Sequence, residues 1–289
     1  MIFESTLSNS VLVLQKASAK MSRINQVFQQ AVSENRMTFM PFITAGDPSV
    51  DTTAELLKTL KSAKVDLIEL GFPYSDPIAD GPVIQASYTR ALSNGITVDA
   101  IFEMMDSLKK DDLPPVLAMV SFAIVFRYGT KQFVTKAAEA GFSGFIIPDL
   151  PADEAVEMSE IAKTAGLDLV QLIAPTTSST RSQQILDASS GFVYCVSVAG
   201  TTGVRQELPA VLIDQLKGLR QSTDLPLAVG FGISSPEQVS ALEGVADGII
   251  VGSAIVKRAA EATDQALADV KEFAESMVSA VHAVKPTTA

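Results

Sequence analysis

The chain has 289 residues, 47% of them hydrophobic, enough to bury the core of one large α/β domain or two small ones, and one is the expectation. A formal charge of -11 and a pI near 4.6 argue against nucleic acid and anionic membranes as partners, because nothing would offset repulsion from phosphates. One histidine, His282, and one cysteine, Cys195, argue against His-based triads, a Cys–His pair, a zinc cluster and a disulfide framework; no apolar run approaches the ~20 residues of a membrane span, and a reducing cytoplasm is expected.

Residues 1–20 are serine-rich around a short apolar patch at 11–14, too short for a signal-peptide core. They are expected to be a disordered tail or a non-native extension, with Met21 as an alternative start and 21–289 as one domain. Just after Met21 an amphipathic helix is predicted, with Ile24, Val27, Phe28 and Ala31 on one face. From Phe39 onward short apolar runs alternate with helix-period segments, and no linker interrupts them. Strands are predicted at 39–43, 66–70, 116–120, 144–147, 168–173, 192–196, 225–229 and 248–251. Helices are predicted near 51–63, 98–109, 130–140, 153–165, 178–189, 205–221, 235–243 and 253–283, with an extra one near 82–93. Eight strand–helix pairs with near-continuous Val, Ile and Leu strands predict a single (β/α)8 TIM barrel with extra N-terminal and loop helices. A doubly wound sheet is the alternative.

In such a barrel the site forms at the C-terminal strand ends. Glu69 ends strand two inside an apolar run, where desolvation would raise its pKa and let it act as general acid and then base. Its alternative is a carboxylate satisfied by backbone donors or an ion pair. Asp80 follows on a loop stiffened by Pro73 and Pro77, which could hold both carboxylates across a ligand; its alternative is a helix N-cap. Asp76 reads as turn chemistry or a partner contact, and Asp149 follows strand four. Tyr194, Phe42, Met119, Ile146 and Ile173 occupy strand positions and could equally be plain core. Gly200 and Gly203, Gly230 and Gly232, and Gly252 crowd the last three turns. Close-approach backbone N–H groups there could cradle a phosphate without any lysine, or the glycines could simply make tight turns.

Absences narrow the chemistry. No strand end carries a Schiff-base lysine, the one histidine lies in the tail, and no Gly-x-Gly-x-x-Gly follows a first strand. Metal-free acid–base carbon–carbon or isomerase chemistry on a phosphorylated small molecule is left.

Residues 39–48 (FMPFITAGDP), 67–85 (LIELGFPYSDPIADGPVIQ), 230–234 (GFGIS) and 252–256 (GSAIV) resemble, in order, the motifs of the tryptophan synthase α-subunit family. The resemblance runs from about Met21 to the C-terminus. It implies a barrel lyase that splits indole-3-glycerol phosphate into indole and glyceraldehyde 3-phosphate by a retro-aldol step, with no cofactor and no metal. Carried onto this chain, Glu69 would be the acid–base residue and Asp80 would accept the indole N–H and stabilise positive charge on the ring. Phe42, Met119, Ile146, Ile173 and Tyr194 would line the indole pocket. Gly203, Gly232, Gly252 and Ser253 would bind the phosphate, and Thr202 would sit on a closing loop that reaches Asp80. The implied partner is a tryptophan synthase β subunit in an α2β2 heterotetramer. One stretch departs from the family. Residues 119–126 read MVSFAIVF, where the family carries a tyrosine and an asparagine, so around Ser121 to Ala123 the residues leave the lyase reading intact but do not support channelling and β-subunit coupling. Two further readings accompany the lyase: a ligand-responsive regulatory subunit of a β partner, and a stand-alone or related phosphate-binding barrel lyase or isomerase.

Overall fold

The computed structural model describes residues 21–77, 80–196, 210–230, 232–261 and 263–287. Residues 1–20, with the tail expected there, lie outside them. Eight parallel strands close into one barrel in sequence order: β1 Thr38–Thr44, β2 Ile68–Gly71, β3 Val116–Met119, β4 Gly144–Ile146, β5 Asp168–Ile173, β6 Val193–Val196, β7 Leu227–Gly230 and β8 Gly248–Val251. Closure is made by β1 pairing with β8, Thr38 opposite Gly248 and Pro41 opposite Val251. The predicted strands are therefore present, and the doubly wound alternative is not.

Alternation along each strand divides the core into two layers. Met40, Leu67, Leu117, Ile146, Val170, Phe192, Ala228 and Ile250 fill the barrel interior, while Ile43, Ile68, Leu70, Ala118, Phe145, Leu169, Val193, Cys195, Val229 and Ile249 pack outward against the helices. Burying each large apolar side chain of this kind contributes ~1.5–3 kcal/mol. The helix Arg23–Ser33 starts at Ser22, whose hydroxyl accepts from Asn25 N, and pushes Ile24 and Phe28 into the interior layer. Phe28 meets Phe192 at 5.6 Å between ring centroids, so this helix plugs the N-terminal end of the barrel.

Helix starts follow side-chain capping: Ser49, Thr97, Ser178 and Thr263 each accept from a first-turn N–H. Two predicted elements differ, and one helix is new. The segment near 235–243 is a 3-10 helix, Pro236–Leu242. The long C-terminal helix is two helices, Ser253–Ala259 and Asp264–His282, because Thr263 caps a fresh start. The stretch after β3 forms an unpredicted helix, Phe122–Tyr128, started by Ser121 and by Asp149, which accepts from Ser121 Oγ at 2.6 Å and Phe122 N at 2.7 Å. Among the described residues no helix is long and apolar enough to cross a membrane.

Candidate active site

In β2, Ile68 and Leu70 face the helix layer, which turns Glu69 inward, in register with Phe42 of β1 and Leu117 of β3. Glu69 is 1% exposed, and its Oε1 has no hydrogen-bond partner among the described residues. Neither the backbone-satisfied nor the ion-paired alternative fits that oxygen. Burial disfavours the charged form and pushes the Glu69 carboxyl up to about 8, so at neutral pH it keeps its proton.

Asp80 comes from the loop that follows. Its N–H donates to Pro77 O at 3.1 Å, and Gln85 Nε2 spans the same loop, donating to Pro77 O at 3.2 Å and Asp80 O at 2.7 Å. The helix beyond it, Pro82–Ser93, takes Gly81 as its N-cap with no side-chain cap bond. Asp80 is thus free of the capping role that its position suggested, and burial raises its carboxyl above the usual range. Asp76 is exposed and accepts from Ser75 Oγ at 2.7 Å, which is turn chemistry.

Glu69 and Asp80 open on one cavity of about 200 Å³, shared with Phe42, Ile84, Met119 and Tyr194. The Tyr194 ring has room because β7 ends in Gly230: a Cβ there would collide with the Tyr194 phenol. Desolvation and the two nearby carboxylates push that phenol well above its ordinary range, so it stays neutral. The far wall consists of Gly230, Gly232, Ser234, Gly252, Ser253 and Ala254. In the helix Ser253–Ala259 the first intrahelical donor is Ile255, to Gly252 O at 2.9 Å. The N–H groups of Ser253 and Ala254 precede that bond and have no helical acceptor. Ser234 N–H is already taken, because Gln238 Oε1 accepts it at 2.9 Å. This wall can therefore bind an anion through main-chain donors.

Of the residues expected in the site, Glu69, Asp80, Phe42, Met119, Tyr194, Gly232, Gly252 and Ser253 meet at this cavity. Ile146 faces the barrel interior beside Met119, in the layer that fills it rather than on the cavity wall. Ile173 does not belong there. It packs in the outer layer, and its neighbour Leu172, in register with Tyr194, faces inward. Thr202 and Gly203 lie outside the described residues. Sequence reasoning missed Ile84, one turn into the helix after Asp80, although a cavity-lining residue there could have been anticipated from helical spacing.

Two buried or half-buried carboxyls and main-chain anion donors at the mouth of a (β/α)8 barrel place this chain among the barrel enzymes, whose sites lie at that end. Comparison with known proteins supplies the particular kind. A model of the tryptophan synthase alpha chain family matches residues 28–285. The tryptophan synthase alpha chain of Rhodopirellula baltica is 45% identical over 249 residues, covering 85% of this chain and 90% of that protein; that of Picosynechococcus is 44% identical over 263 residues, covering 90% and 100%. The crystal structure of tryptophan synthase subunit alpha from Legionella pneumophila superposes with a TM-score of 0.84 at 35% identity, covering 91% of this chain and all of that one. The chain belongs to the tryptophan synthase alpha chain family, and its reaction is the cleavage of indole-3-glycerol phosphate in tryptophan biosynthesis.

Proposed function

We propose that Glu69 and Asp80 carry this cleavage as metal-free acid–base chemistry. The observation that carries the reading is the partnerless carboxyl of Glu69, held neutral by burial at a cavity that Asp80 shares. Protonated Glu69 delivers its proton to the ring carbon that bears the glycerol side chain, and positive charge spreads to the indole nitrogen. Asp80, ionised, accepts the indole N–H and stabilises that charge, an interaction stronger in the transition state than in the ground state. The Glu69 carboxylate then removes the proton from the side-chain hydroxyl. The carbon–carbon bond breaks, its electron pair returns to the ring to give indole, and the carbonyl of glyceraldehyde 3-phosphate forms. The phosphate rests on the main-chain N–H groups around Gly232, Gly252 and Ser253, and Phe42, Met119 and Tyr194 hold the ring. An assay of indole release from indole-3-glycerol phosphate tests the reading: the Glu69→Gln variant should bind substrate and release no indole, and near-wild-type turnover in it would refute the reading.

The family suggests a β partner in an α2β2 assembly, and the reducing interior suited to the buried, unpaired Cys195 thiol supports a cytoplasmic setting. Phe126, 71% exposed on the helix after β3 with its ring 6.1 Å from that of Phe122, offers an apolar contact on the stretch that departs from the family. Size-exclusion chromatography of the chain mixed with a β subunit separates the readings: co-elution supports the assembly, and separate elution with full lyase turnover supports a stand-alone enzyme.

A further inference from the structure

One buried polar group near the cavity takes no part in the reading above. Tyr88 lies one helical turn beyond Ile84 on the helix Pro82–Ser93, so the two project from the same face. It is 4% exposed and packs with Phe42, Ile84 and Val256. Its hydroxyl reaches the end of β2: a Cβ on Gly71 would collide with the Phe42 ring and stand 3.0 Å from Tyr88 Oη. Gly71 is two residues past Glu69 on the same inward face of the strand. Tyr88 and Asp80 also line one chamber of about 250 Å³, adjoining the reaction cavity and bounded by Phe72, Met119 and Pro148. Among the described residues neither the Tyr88 hydroxyl nor the Asp80 carboxylate has a hydrogen-bond partner, although buried tyrosine hydroxyls ordinarily find one.

The mount under Tyr88 is stiff. The residue before it, Ser87, shares a buried 2.7 Å hydrogen bond with Thr44 of β1. Two residues on, Arg90 grips Asp47 with both arms, Nε to Oδ1 at 2.8 Å and Nη2 to Oδ2 at 2.7 Å. A side chain tied this way is placed by the scaffold and not by its own flexibility, which is what a positioning group needs. Burial first, and then the nearby Asp80 and Glu69 carboxyls, push the phenol far above its ordinary range. It therefore stays a neutral donor facing a carboxylate at any working pH.

We propose that Tyr88 is a positioning residue of this lyase: when substrate fills the cavity, its hydroxyl donates to the Asp80 carboxylate, holding that group ionised and aimed at the indole nitrogen. The proposal rests on the role given to Asp80 above. Donation to the ionised form opposes the desolvation that raises the Asp80 pKa. Removing the donor should therefore move the acidic limb of activity to higher pH.

The test is the pH profile of kcat and KM for indole release in Tyr88→Phe, Asp80→Asn and the double variant. Phenylalanine keeps the packing with Phe42 and Ile84, and a thermal unfolding midpoint close to wild type checks the fold. The expected result for Tyr88→Phe is a kcat loss of about tenfold with KM little changed, in line with a charge-assisted hydrogen bond, and an acidic limb displaced upward by about half a pH unit or more. In the Asp80→Asn background the same substitution should cost almost nothing further, because the donor has lost its charged partner. An unmoved pH profile, or losses that multiply independently in the double variant, would overturn the proposal. Near-wild-type turnover in Asp80→Asn alone would overturn the reading of Asp80 beneath it, an outcome the single Tyr88→Phe measurement cannot mimic.

Discussion

The two ends of the barrel treat the same kind of side chain in opposite ways. At the N-terminal end, Asp66 accepts from Phe39 N at 2.8 Å and from Arg36 Nη1 at 2.7 Å, with His282 Nε2 2.8 Å away. Asp247 accepts from Leu227 N at 2.8 Å, with Arg220 at 3.5 Å. Asp168 is intermediate, bonded through Ser22 and Ser190 but with Oδ2 unpartnered. At the C-terminal mouth, Glu69 and Asp80 have no cationic partner among the described residues, and desolvation raises their pKa values. Asp66 and Asp247 at the closed end are used for cohesion, as Asp47 and Asp149 are at the open end, whereas Glu69 and Asp80 are left unsatisfied and therefore available to a ligand. The difference is one of partners, since both ends are buried.

Four experiments would break or sharpen that contrast. Glu69→Gln should lower the indole release rate by about 10²–10⁴-fold, the usual worth of a general acid–base, without lowering the unfolding midpoint. Asp66→Ala should do the reverse, costing about 3–5 kcal/mol of unfolding free energy in denaturant titrations because Arg36 loses its buried partner, with KM unchanged in the folded fraction. Asp80→Asn should raise the barrier by about 2–4 kcal/mol, the worth of one group aimed at developing charge, read from kcat. The smallest effect is on the pH dependence of stability. Since the folded carboxyl of Glu69 sits near 8 against an ordinary 4.5, the folded state holds the extra proton between those limits. Its stabilising effect is complete below about 4.5 and fades as pH rises toward 8, with a slope on the order of 1 kcal/mol per pH unit. Glu69→Gln should flatten that slope in unfolding measurements from pH 5 to 8; an unchanged slope would mean that Glu69 is not the group responsible.

Much of the barrel could be read in advance because parallel strands buried on both faces leave unbroken apolar runs, as at 248–251. That same continuity hid which way side chains point. In β5 Leu172 and Ile173 are both apolar, and only closure of the barrel turns Leu172 inward and leaves Ile173 packed against the helices. The helix Phe122–Tyr128 was missed because its start depends on Asp149, 27 residues away from the N–H it accepts, a contact no local pattern encodes. Glu69 and Asp80 were legible since a charge inside an apolar strand, and another beside two prolines, are costly placements that sequence alone exposes. Tyr88 escaped notice because a tyrosine on an amphipathic helix looks like packing until its hydroxyl is seen against Gly71.

The plug made by Ile24 and Phe28 turns a tube into a flask. With the base stoppered by hydrocarbon, Glu69 opens among the described residues toward the mouth, the side that a seated substrate would occupy. If Glu69 is the acid proposed above, a hydrogen isotope carried by that carboxyl beneath a seated substrate would pass to the ring carbon of the departing indole instead of washing out through the floor.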